Sequence, residues 1–374
     1  MLDDYRFTGR CLLLPKSLLG TVCLALASMS VLAESTPTSQ LSALPRTESP
    51  KLKQVKPPAN PQVFNEHMRR EEIEILPIPE QPPELTAALR ALERGSIDER
   101  VAKLKAKTID DLVYVRGGSF MRGDFAKLAG IGAALTANMD DKAIKEITLS
   151  DFWIGKYKVT YAEFDVFTDA TGRKRTGMEH GGEGRHSLIP AGSYWQDAKN
   201  YCLWLGQITG YSFDLPTEAQ WEYAARSRGQ FFATATDDGN WDKGRNSPFS
   251  TQADQIGKKY ARTSDKRHAV GLFPPNPLGL YDMSYMTWEW VNDWYAEDAY
   301  ERATTHDPAG PASGTEKVIR SWYIGNGQIL GTNIWRKSIK PSPYRLNSRD
   351  QYVPEETSES PTLRCVINAA PDKP

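Results

Sequence analysis

The stretch DMSYMTWEWVNDWY, residues 282–295, places three tryptophans and two tyrosines in fourteen positions. Its second half, from Trp288 to Tyr295, has the density of large aromatic anchors that is typical of a structural signature. Its first half, 284–287, contains no glycine and does not look like a turn leading into that signature. The whole chain has 10 tryptophans, 28 glycines and 25 prolines, which indicates a loop-rich fold pinned by aromatic side chains.

Chain length and charge limit the classes of function. With 374 residues, the chain can form one large domain or two, with a sizeable buried core. Its 46 basic residues nearly balance its 47 acidic ones, and the sequence has no basic stripe interleaved with aromatic residues. We therefore expect no nucleic-acid partner.

The N-terminal residues have the pattern of an export signal. A basic segment precedes an apolar run at 17–32, and Val31-Leu32-Ala33 is a small-residue cleavage pattern. The alternative is an uncleaved membrane anchor, although the apolar run is short for spanning a bilayer. We predict a signal peptide at residues 1–33, no stable membrane insertion after its cleavage, and a bacterial periplasmic location for the mature protein.

Beyond this signal the composition changes twice. Residues 34–83 hold ten of the 25 prolines, which predicts an extended, semi-rigid linker. Residues 84–109 have helical spacing in two parts, and the capping-box pattern Ser96-x-x-Glu99 opens the second part. We predict a short helical lead-in there, followed by one domain over residues 110–374.

Strand and helix patterns follow one another within that domain. DDLVYVRGGSFMRGD, residues 110–124, predicts a strand and a hairpin. Ser193 with Gln196, and Thr217 with Gln220, are capping-box pairs that predict the starts of two helices.

Two polar segments could bind a cation. The loop MEHGGEGRH, residues 178–186, brings together four possible ligands of iron or zinc, namely Glu179, His180, Glu183 and His186. The alternative is a flexible, glycine-rich solvent loop, since no helix fixes a ligand spacing there. Asp237, Asp238 and Asp242 could also hold an ion, although such a run is usually a solvated turn.

Seven segments, taken in order, resemble the formylglycine-generating enzyme (sulfatase-modifying factor) domain family. They cover most of residues 110–370, and their order is more specific than any one of them. The resemblance implies a single α+β domain, related to C-type lectins, with little regular secondary structure. The segments are LVYVRGGSFMRGD (112–124), FWIGKYKVTYAEF (152–164), SYWQDAKNYCLWLGQITG (193–210), DLPTEAQWEYAAR (214–226), NPLGLYDM with WEWVNDWY (276–295), DPAGPASGTEKVIRSW (307–322) and LRCV (363–366).

The resemblance also predicts that the family's copper chemistry is absent. Its oxidase members bind copper through a cysteine pair that follows an Arg-Gly-Gly-Ser-Trp stretch, because thiolates are soft ligands for Cu(I). Here both glycines are missing from Val318–Trp322, and Ile324 and Ile329 stand roughly where the thiols would be. Residues 320–345 contain no cysteine.

Two cysteines remain once the signal peptide is removed, Cys202 and Cys365. An even pair in an oxidising compartment favours a disulfide. These two positions pair in the family, so the resemblance implies a Cys202–Cys365 disulfide.

A calcium site of the family is altered in the opening stretch. Family members place a Gly-Asn turn before the Trp-Glu-Trp signature, and this turn and the glutamate help to bind the ion. Here Tyr285 and Met286 replace the turn, and neither a thioether nor a residue that resists positive φ suits a hard cation site. Glu289 alone remains. We predict no cofactor and a calcium site that is weakened or lost, with residual calcium as the alternative.

An intact scaffold without its active site favours a pseudoenzyme that binds another protein. One specific form is an immunity protein that blocks a secreted effector in the periplasm. The alternatives are a divergent metal-dependent enzyme that performs an oxidative tailoring step on a secreted peptide, and a glycan-binding, lectin-like module. Segments 173–192 and 323–345 depart furthest from the family. The second offers residue types that dominate interfaces, Tyr323, Trp335, Arg336 and Tyr344, although Trp335 and Tyr344 could equally be core.

We expect the purified protein not to convert a sulfatase-type cysteine peptide to formylglycine, with or without copper, because residues 320–345 contain no thiol pair. Mass spectrometry of the peptide measures the product, with an active family member as the control. Aldehyde above a no-protein blank would contradict this expectation.

Overall fold

The computed structural model describes residues 44, 78–178, 182, 184–242, 244–248, 250–260, 268–284, 287–321, 333–342, 344–346, 352–354 and 360–368. The chain divides into two compact units, Met1–Glu34 and Ser35–Pro374, and every described residue belongs to the second. None of the helices within these ranges combines the length and the apolar character that crossing a bilayer requires.

Short helices and short strands alternate along the described residues, which confirms the predicted α+β class. The helices are α1 Pro83–Ala91, α2 Ile97–Asp110, α3 Tyr161–Thr171, α4 Trp195–Thr209, α5 Glu218–Ala225, α6 Ser250–Tyr260 and α7 Ala299–Arg302, with a 3-10 turn at Phe125–Lys127. The strands are β1 Leu112–Val115, β2 Gly118–Arg122, β3 Lys145–Leu149, β4 Phe152–Gly155, β5 Phe213–Asp214, β6 Glu289–Trp294, β7 Lys317–Arg320, β8 Lys337–Ile339, β9 Tyr344–Leu346, β10 Tyr352–Pro354 and β11 Val366–Asn368.

The strands pair in antiparallel sheets, and β4 and β11 are the inner strands of the largest one. A four-stranded sheet has the order β1-β4-β11-β5, and a three-stranded sheet has the order β6-β7-β8. Strands β2 and β3 form a hairpin, as do β9 and β10. In β4, Trp153 faces one core with helices α1 to α4, while Phe152 and Ile154 face a second core with helix α5. The alternation follows from the two-residue period of a strand.

The predicted lead-in helices belong to the main core. Leu85 and Leu89 of α1 and Leu104 of α2 are buried in the same cluster as Phe164 of α3. Two points of the predicted linker also contact the domain. Leu44 lies in that cluster, and Gln81 is buried and donates a hydrogen bond to the Val270 carbonyl.

Two of the three predicted capping boxes are present. Ser96 with Glu99 caps α2, and Thr217 with Gln220 caps α5, each through both reciprocal hydrogen bonds. The prediction for Ser193 with Gln196 is wrong, because α4 begins after Tyr194 without a side-chain cap. The Ser193 backbone is bound elsewhere, since its N–H donates to the Pro361 carbonyl and its carbonyl accepts from the Trp290 indole.

The disulfide between Cys202 and Cys365 is confirmed. Their Cα atoms are 5.6 Å apart, within the range that a disulfide spans. The bond joins α4 to the residue before β11, and both half-cystines are buried. It therefore ties a helix of the main core to the central sheet.

We expect the double variant Cys202→Ala with Cys365→Ala to lose stability relative to the oxidised protein. The bond closes a loop of 163 residues, which corresponds to at most about 5 kcal/mol in the chain-entropy model. Urea unfolding with and without reductant measures the loss, and reductant should change the unmodified protein but not the double variant. Equal midpoints for the oxidised protein and the double variant would contradict the prediction.

Candidate functional site

The signature at residues 288–295 forms strand β6 and the residues beside it. Trp290 is fully buried, as predicted for a core anchor. Trp288 and Trp294 are only half-buried, so one of the three tryptophans of this signature is a fully buried anchor. Tyr285 and Met286, which replace the family's calcium turn, lie outside the described residues.

Glu289 has its charge satisfied by protein cations. Lys158 Nζ lies 2.9 Å from Glu289 Oε1, and Arg364 Nε lies 2.7 Å from Oε2. The Trp221 indole also donates to Oε2 over 3.1 Å. Burial alone would raise the pKa of Glu289, but Arg364 and Lys158 hold that pKa at about 2. The carboxylate is therefore ionised, enclosed and paired, and no oxygen of it is left open for a calcium ion.

A second group of oxygens surrounds an ammonium in the loop between β2 and β3. Lys142 Nζ lies 2.8 Å from Asp124 Oδ2 and 2.7 Å from Asp141 Oδ1. It also donates to the carbonyl and the hydroxyl of Thr136, over 2.9 and 2.8 Å. Two carboxylates, a carbonyl and a hydroxyl are hard oxygen ligands, and here they hold a lysine.

The acidic run near residue 240 is likewise paired with a side-chain cation. Arg245 forms ion pairs with all three candidate ligands, Asp237, Asp238 and Asp242. These side chains are 34 to 42 % exposed, so the cluster is a solvated turn held by one guanidinium.

The described residues include too little of the loop at 178–186 to test whether it binds a metal. Glu179, His180 and Glu183 lie outside them, and the metal hypothesis for this loop stays a prediction. His186 is described, and its Nδ1 accepts the Leu188 N–H over 3.3 Å. Among the described residues, no group of three or more His, Cys, Asp or Glu side chains is placed to hold a metal ion.

Helix α5 carries two buried carboxylates in an otherwise apolar setting. Glu218 and Glu222 are no more than 1 % exposed, and the same helix buries Trp221, Ala224 and Ala225. Buried carboxylates require partners, because an isolated ion in the interior is strongly unfavourable. The partners are arginines from separate parts of the chain.

Glu218 is surrounded by three guanidiniums. Arg320 Nη1 lies 2.7 Å from Glu218 Oε1. Arg336 contacts both oxygens, with Nε 2.8 Å from Oε1 and Nη2 3.0 Å from Oε2. Arg122 Nη2 is 3.0 Å from Oε2, an ion pair without hydrogen-bond alignment. Burial raises the pKa of Glu218, but the three guanidiniums outweigh it and hold the pKa well below its ordinary value.

Glu222 is the second centre of this network. Arg226 Nη1 lies 2.8 Å from its Oε1, and Arg320 Nη2 lies 3.3 Å from its Oε2. The Tyr300 hydroxyl lies 3.0 Å from Glu222 Oε2 and 3.2 Å from Glu218 Oε1. Arg320 and Tyr300 thus join the two carboxylates into one buried unit.

Sequence reasoning missed this network. Glu218, Glu222 and Arg226 recur every four residues, so they share a helix face, while the other positions are apolar or aromatic except for the cap residue Gln220. A helix that is apolar on its other faces has no solvent side, and charges within it must be buried in pairs. That signal was available for the helix, but nothing in the local sequence identifies the arginines that complete the pairs.

In the family, one stretch holds the copper-binding cysteines. In this chain, the ion network binds residues on both sides of the matching stretch. Arg320 stands before this stretch, and its Nη2 donates to the carbonyl of Asn333 beyond it over 2.5 Å. The Asn333 side chain accepts from the Ser284 hydroxyl and donates to the Phe232 carbonyl. Residues 322–332 lie outside the described residues, and the copper-binding thiols have no counterpart there in sequence.

The structure corrects one of the four proposed contact residues. Arg336 is 1 % exposed and its guanidinium is bound to Glu218, so its side chain cannot reach a partner from the surface. Trp335 is half-buried. Tyr323 and the side chain of Tyr344 lie outside the described residues, although Tyr344 begins strand β9.

A buried acid beside the network titrates near neutral pH. Asp293 accepts the Glu218 N–H over 2.8 Å, and burial together with the Glu218 charge raises the pKa of Asp293 to about 7. Lys317 lies on the neighbouring strand β7, and its Nζ is 3.8 Å from the ring centroids of Trp195 and Trp294. Burial lowers the pKa of Lys317 to about 8.

We expect the chelator EDTA to leave the melting temperature of the protein within about 1 °C, because Lys158, Arg364 and Lys142 hold the described carboxylates that a calcium ion would need. The variant Lys142→Ala should gain a response. About 5 mM calcium should raise its melting temperature by about 2 °C, since the oxygens around residue 142 are then open. A calcium-insensitive variant, or a drop of several degrees when EDTA is added to the unmodified protein, would contradict this.

We expect Asp293→Asn to change how stability depends on pH. The folded pKa of about 7 lies above the unfolded value near 4, so the folded state holds the extra proton between these pH values. The contribution of Asp293 to the free energy of unfolding therefore falls as pH rises from about 4 to about 7. Asparagine does not titrate and keeps an acceptor for the Glu218 N–H.

Urea unfolding at pH 5 and pH 8 measures this difference. From pH 5 to 8 the unmodified protein should lose on the order of 2 kcal/mol relative to Asp293→Asn. Asp169→Asn is the matched control, because paired arginines lower the pKa of Asp169 and keep it ionised over this range. Parallel pH profiles for the unmodified protein and Asp293→Asn would show that Asp293 does not titrate here.

Comparisons with known proteins agree with this architecture. The formylglycine-generating enzyme of Streptomyces coelicolor is 26% identical over 69% of this chain and 89% of its own length. The inactive C-alpha-formylglycine-generating enzyme 2 of Mus musculus is 36% identical over 48% of this chain and 49% of its own. The serine/threonine-protein kinase pkn1 of Chlamydia caviae is 27% identical over 60% of this chain, which spans only 35% of the kinase. 

The structure of PvdO from Pseudomonas aeruginosa aligns with a TM-score of 0.50 at 23% identity, over 69% of this chain and 94% of PvdO, and supports the fold alone. A family model described as the sulfatase-modifying factor enzyme 1-like domain matches residues 98–369, which is more than half of the chain. The match begins inside helix α2, before the domain start predicted at residue 110, and it ends beyond β11. The chain therefore belongs to the sulfatase-modifying factor family.

Proposed function

We propose that this protein is a non-catalytic member of its family that acts by binding another protein outside the cytoplasm. The observation that carries the proposal is the position and bonding of the cysteines. The cysteines outside the predicted signal peptide, Cys202 and Cys365, are joined in a buried disulfide, and residues 320–345 supply none. The residues present therefore do not fit the copper ion that the family's oxidases use.

The residues that flank this stretch are nevertheless held in place. Arg320 and Arg336 bind Glu218 from either side of residues 321–333, so this stretch starts and ends at fixed points. A preorganised base lowers the entropy lost when a surface segment binds a partner. The name of the mouse relative, an inactive member of the same family, supports a role without catalysis.

We place the partner contact at residues 321–345. Tyr323 and Tyr344 remain candidate contacts, and so does Trp335, which is half-buried beside Arg336. Aromatic side chains on a rigid base are the residues that carry most binding energy in interfaces. A periplasmic immunity protein that blocks a secreted effector is the specific form of this function that we propose.

The proposal is tested by affinity capture from a periplasmic extract, followed by binding of the purified partner. Trp335→Ala and Tyr323→Ala are expected to weaken the purified pair by about 1 to 2 kcal/mol. Leu203→Ala is the matched control, because Leu203 is 44% exposed on helix α4 and is not part of the proposed contact. Melting temperatures show whether each variant folds.

Two results would contradict the proposal. One is a purified protein that carries stoichiometric iron, zinc or copper and turns over a peptide substrate, which would support the tailoring enzyme. The other is a verified partner that binds both aromatic variants as tightly as the control, which would place the contact elsewhere.

A further inference from the structure

Residues 317–349 carry seven basic side chains and no acidic one. The chain has 47 acidic residues in 374, so a stretch of 33 residues contains about four of them at the average frequency. Positive charge is therefore concentrated in this stretch, although the net charge of the whole chain is only −1.

Three of these cations are used inside the protein. Arg320 and Arg336 are both paired with the buried carboxylate of Glu218. Lys317 is 2% exposed, and its Nζ donates to the Asn292 carbonyl over 2.7 Å. These three charges are enclosed, so they cannot meet a partner at the surface.

Two further cations of the stretch, Lys337 and Lys340, reach the solvent. Both residues are exposed, and within the part of the chain that the structure describes neither forms an ion pair. Lys337 Nζ lies 5.7 Å from the ring centroid of Trp288, which is half-buried. Lys337, Lys340 and Trp288 are called the basic face below. The side chains of the remaining two basic residues of the stretch lie outside the described residues.

The backbone that carries both lysines is fixed at each end. Before β8, the Arg336 carbonyl accepts a hydrogen bond from the Asn138 amide over 2.9 Å. After Lys340, the Pro341 carbonyl accepts the Trp195 N–H over 3.1 Å. Between these points, β8 pairs with β7. The two lysines are therefore presented from a preorganised backbone, which reduces the entropy lost when a partner binds.

The acidic residue that precedes the stretch does not neutralise the basic face. The carboxylate of Glu316 accepts a hydrogen bond from the Ser338 hydroxyl. Successive side chains of a strand point to opposite faces, so Ser338 and Lys337 do not share a face. Glu316 therefore lies on the side of Ser338, away from Lys337.

A charge of one sign fits a partner of the opposite sign. Strand β8 is the last strand of its sheet, and charged side chains on such a strand also prevent unwanted pairing with other chains. Lysine and glutamate both serve that purpose, so it does not account for seven basic residues without an acidic one. Complementary charge does account for them, because it attracts the correct partner and repels others.

We propose that the partner bound at this part of the molecule is an acidic protein, whose carboxylates contact Lys337 and Lys340 beside Trp288. This inference rests on the proposed function, since it names the chemistry of the partner for the contact placed at residues 321–345. A nucleic acid or an anionic lipid surface fits less well, because either requires a larger basic area than two exposed lysines.

Carbodiimide cross-linking in a periplasmic extract tests the proposal. The reagent activates a carboxylate, and a lysine amine then displaces the reagent as a urea, so that an amide joins the two proteins. Mass spectrometry should find Lys337 and Lys340 joined to Asp or Glu of one other protein. Lys105, which is exposed on α2, is the internal control and should not be joined to that protein. Arginine at positions 337 and 340 should remove these cross-links.

The cross-linked protein, once purified, is used to measure the effect of charge on association. Lys337→Glu with Lys340→Glu should associate at least about tenfold more slowly in about 0.05 M salt, and the difference should shrink in about 0.5 M salt, where charges are screened. Lys337→Arg with Lys340→Arg keeps both charges and should associate within about twofold of the unmodified protein, as should the control Lys105→Glu. Equal melting temperatures show that the variants fold.

Two results would overturn this inference and leave the proposed function standing. One is a verified partner that Trp335→Ala weakens but that associates with Lys337→Glu, Lys340→Glu at an unchanged rate. The other is a verified partner whose cross-links to this protein avoid both lysines. If no protein binds and phosphatidylglycerol vesicles bind through these lysines instead, the inference and the proposed function both fail.

Discussion

The buried carboxylate of Glu218 is the interaction on which the rest of this structure depends. Three guanidiniums from separate elements pair with it. Arg122 belongs to β2, Arg320 to β7, and Arg336 directly precedes β8. A carboxylate taken out of water without a partner is penalised by several kcal/mol, so the folded state is stable only with these arginines paired to it. One charge thereby joins the β2–β3 pair, the three-stranded sheet and the residues on both sides of 321–333.

Protein cations recur wherever hard oxygen ligands gather in the described residues. Lys158 and Arg364 meet Glu289, Lys142 lies among the oxygens of the β2–β3 loop, and Arg245 binds three aspartates. A tethered ammonium or guanidinium differs from a bound ion because it needs no binding equilibrium and cannot be removed by dilution. We therefore expect the stability of these regions not to depend on the supply of metal.

Short sequence patterns predicted the parts of the fold that depend on contacts between residues close together in the chain. A capping box involves residues three apart, and the boxes at Ser96 and Thr217 are present as predicted. The box at Ser193 failed because tertiary hydrogen bonds to its backbone took precedence. Arg336 resembled an interface residue for a similar reason, since its burial depends on a carboxylate 118 positions away in sequence. No spacing links such partners, so the arginines that complete the network at the candidate site could not be predicted.

Residues 320–345 contain no cysteine, yet the ion network around them is present, and the different energies of thiols and buried ion pairs account for this. Replacing metal-binding thiols by other side chains removes chemistry and leaves the ion network intact. Removing one member of a buried ion pair instead leaves a charge without a partner and costs about 3 to 5 kcal/mol. That is a large part of the roughly 5 to 15 kcal/mol that keeps a domain folded. Folding alone is therefore sufficient to retain Glu218, Arg320 and Arg336, and their presence carries no information about catalysis. The information about function lies in the side chains that this frame presents to solvent, because folding does not by itself require them.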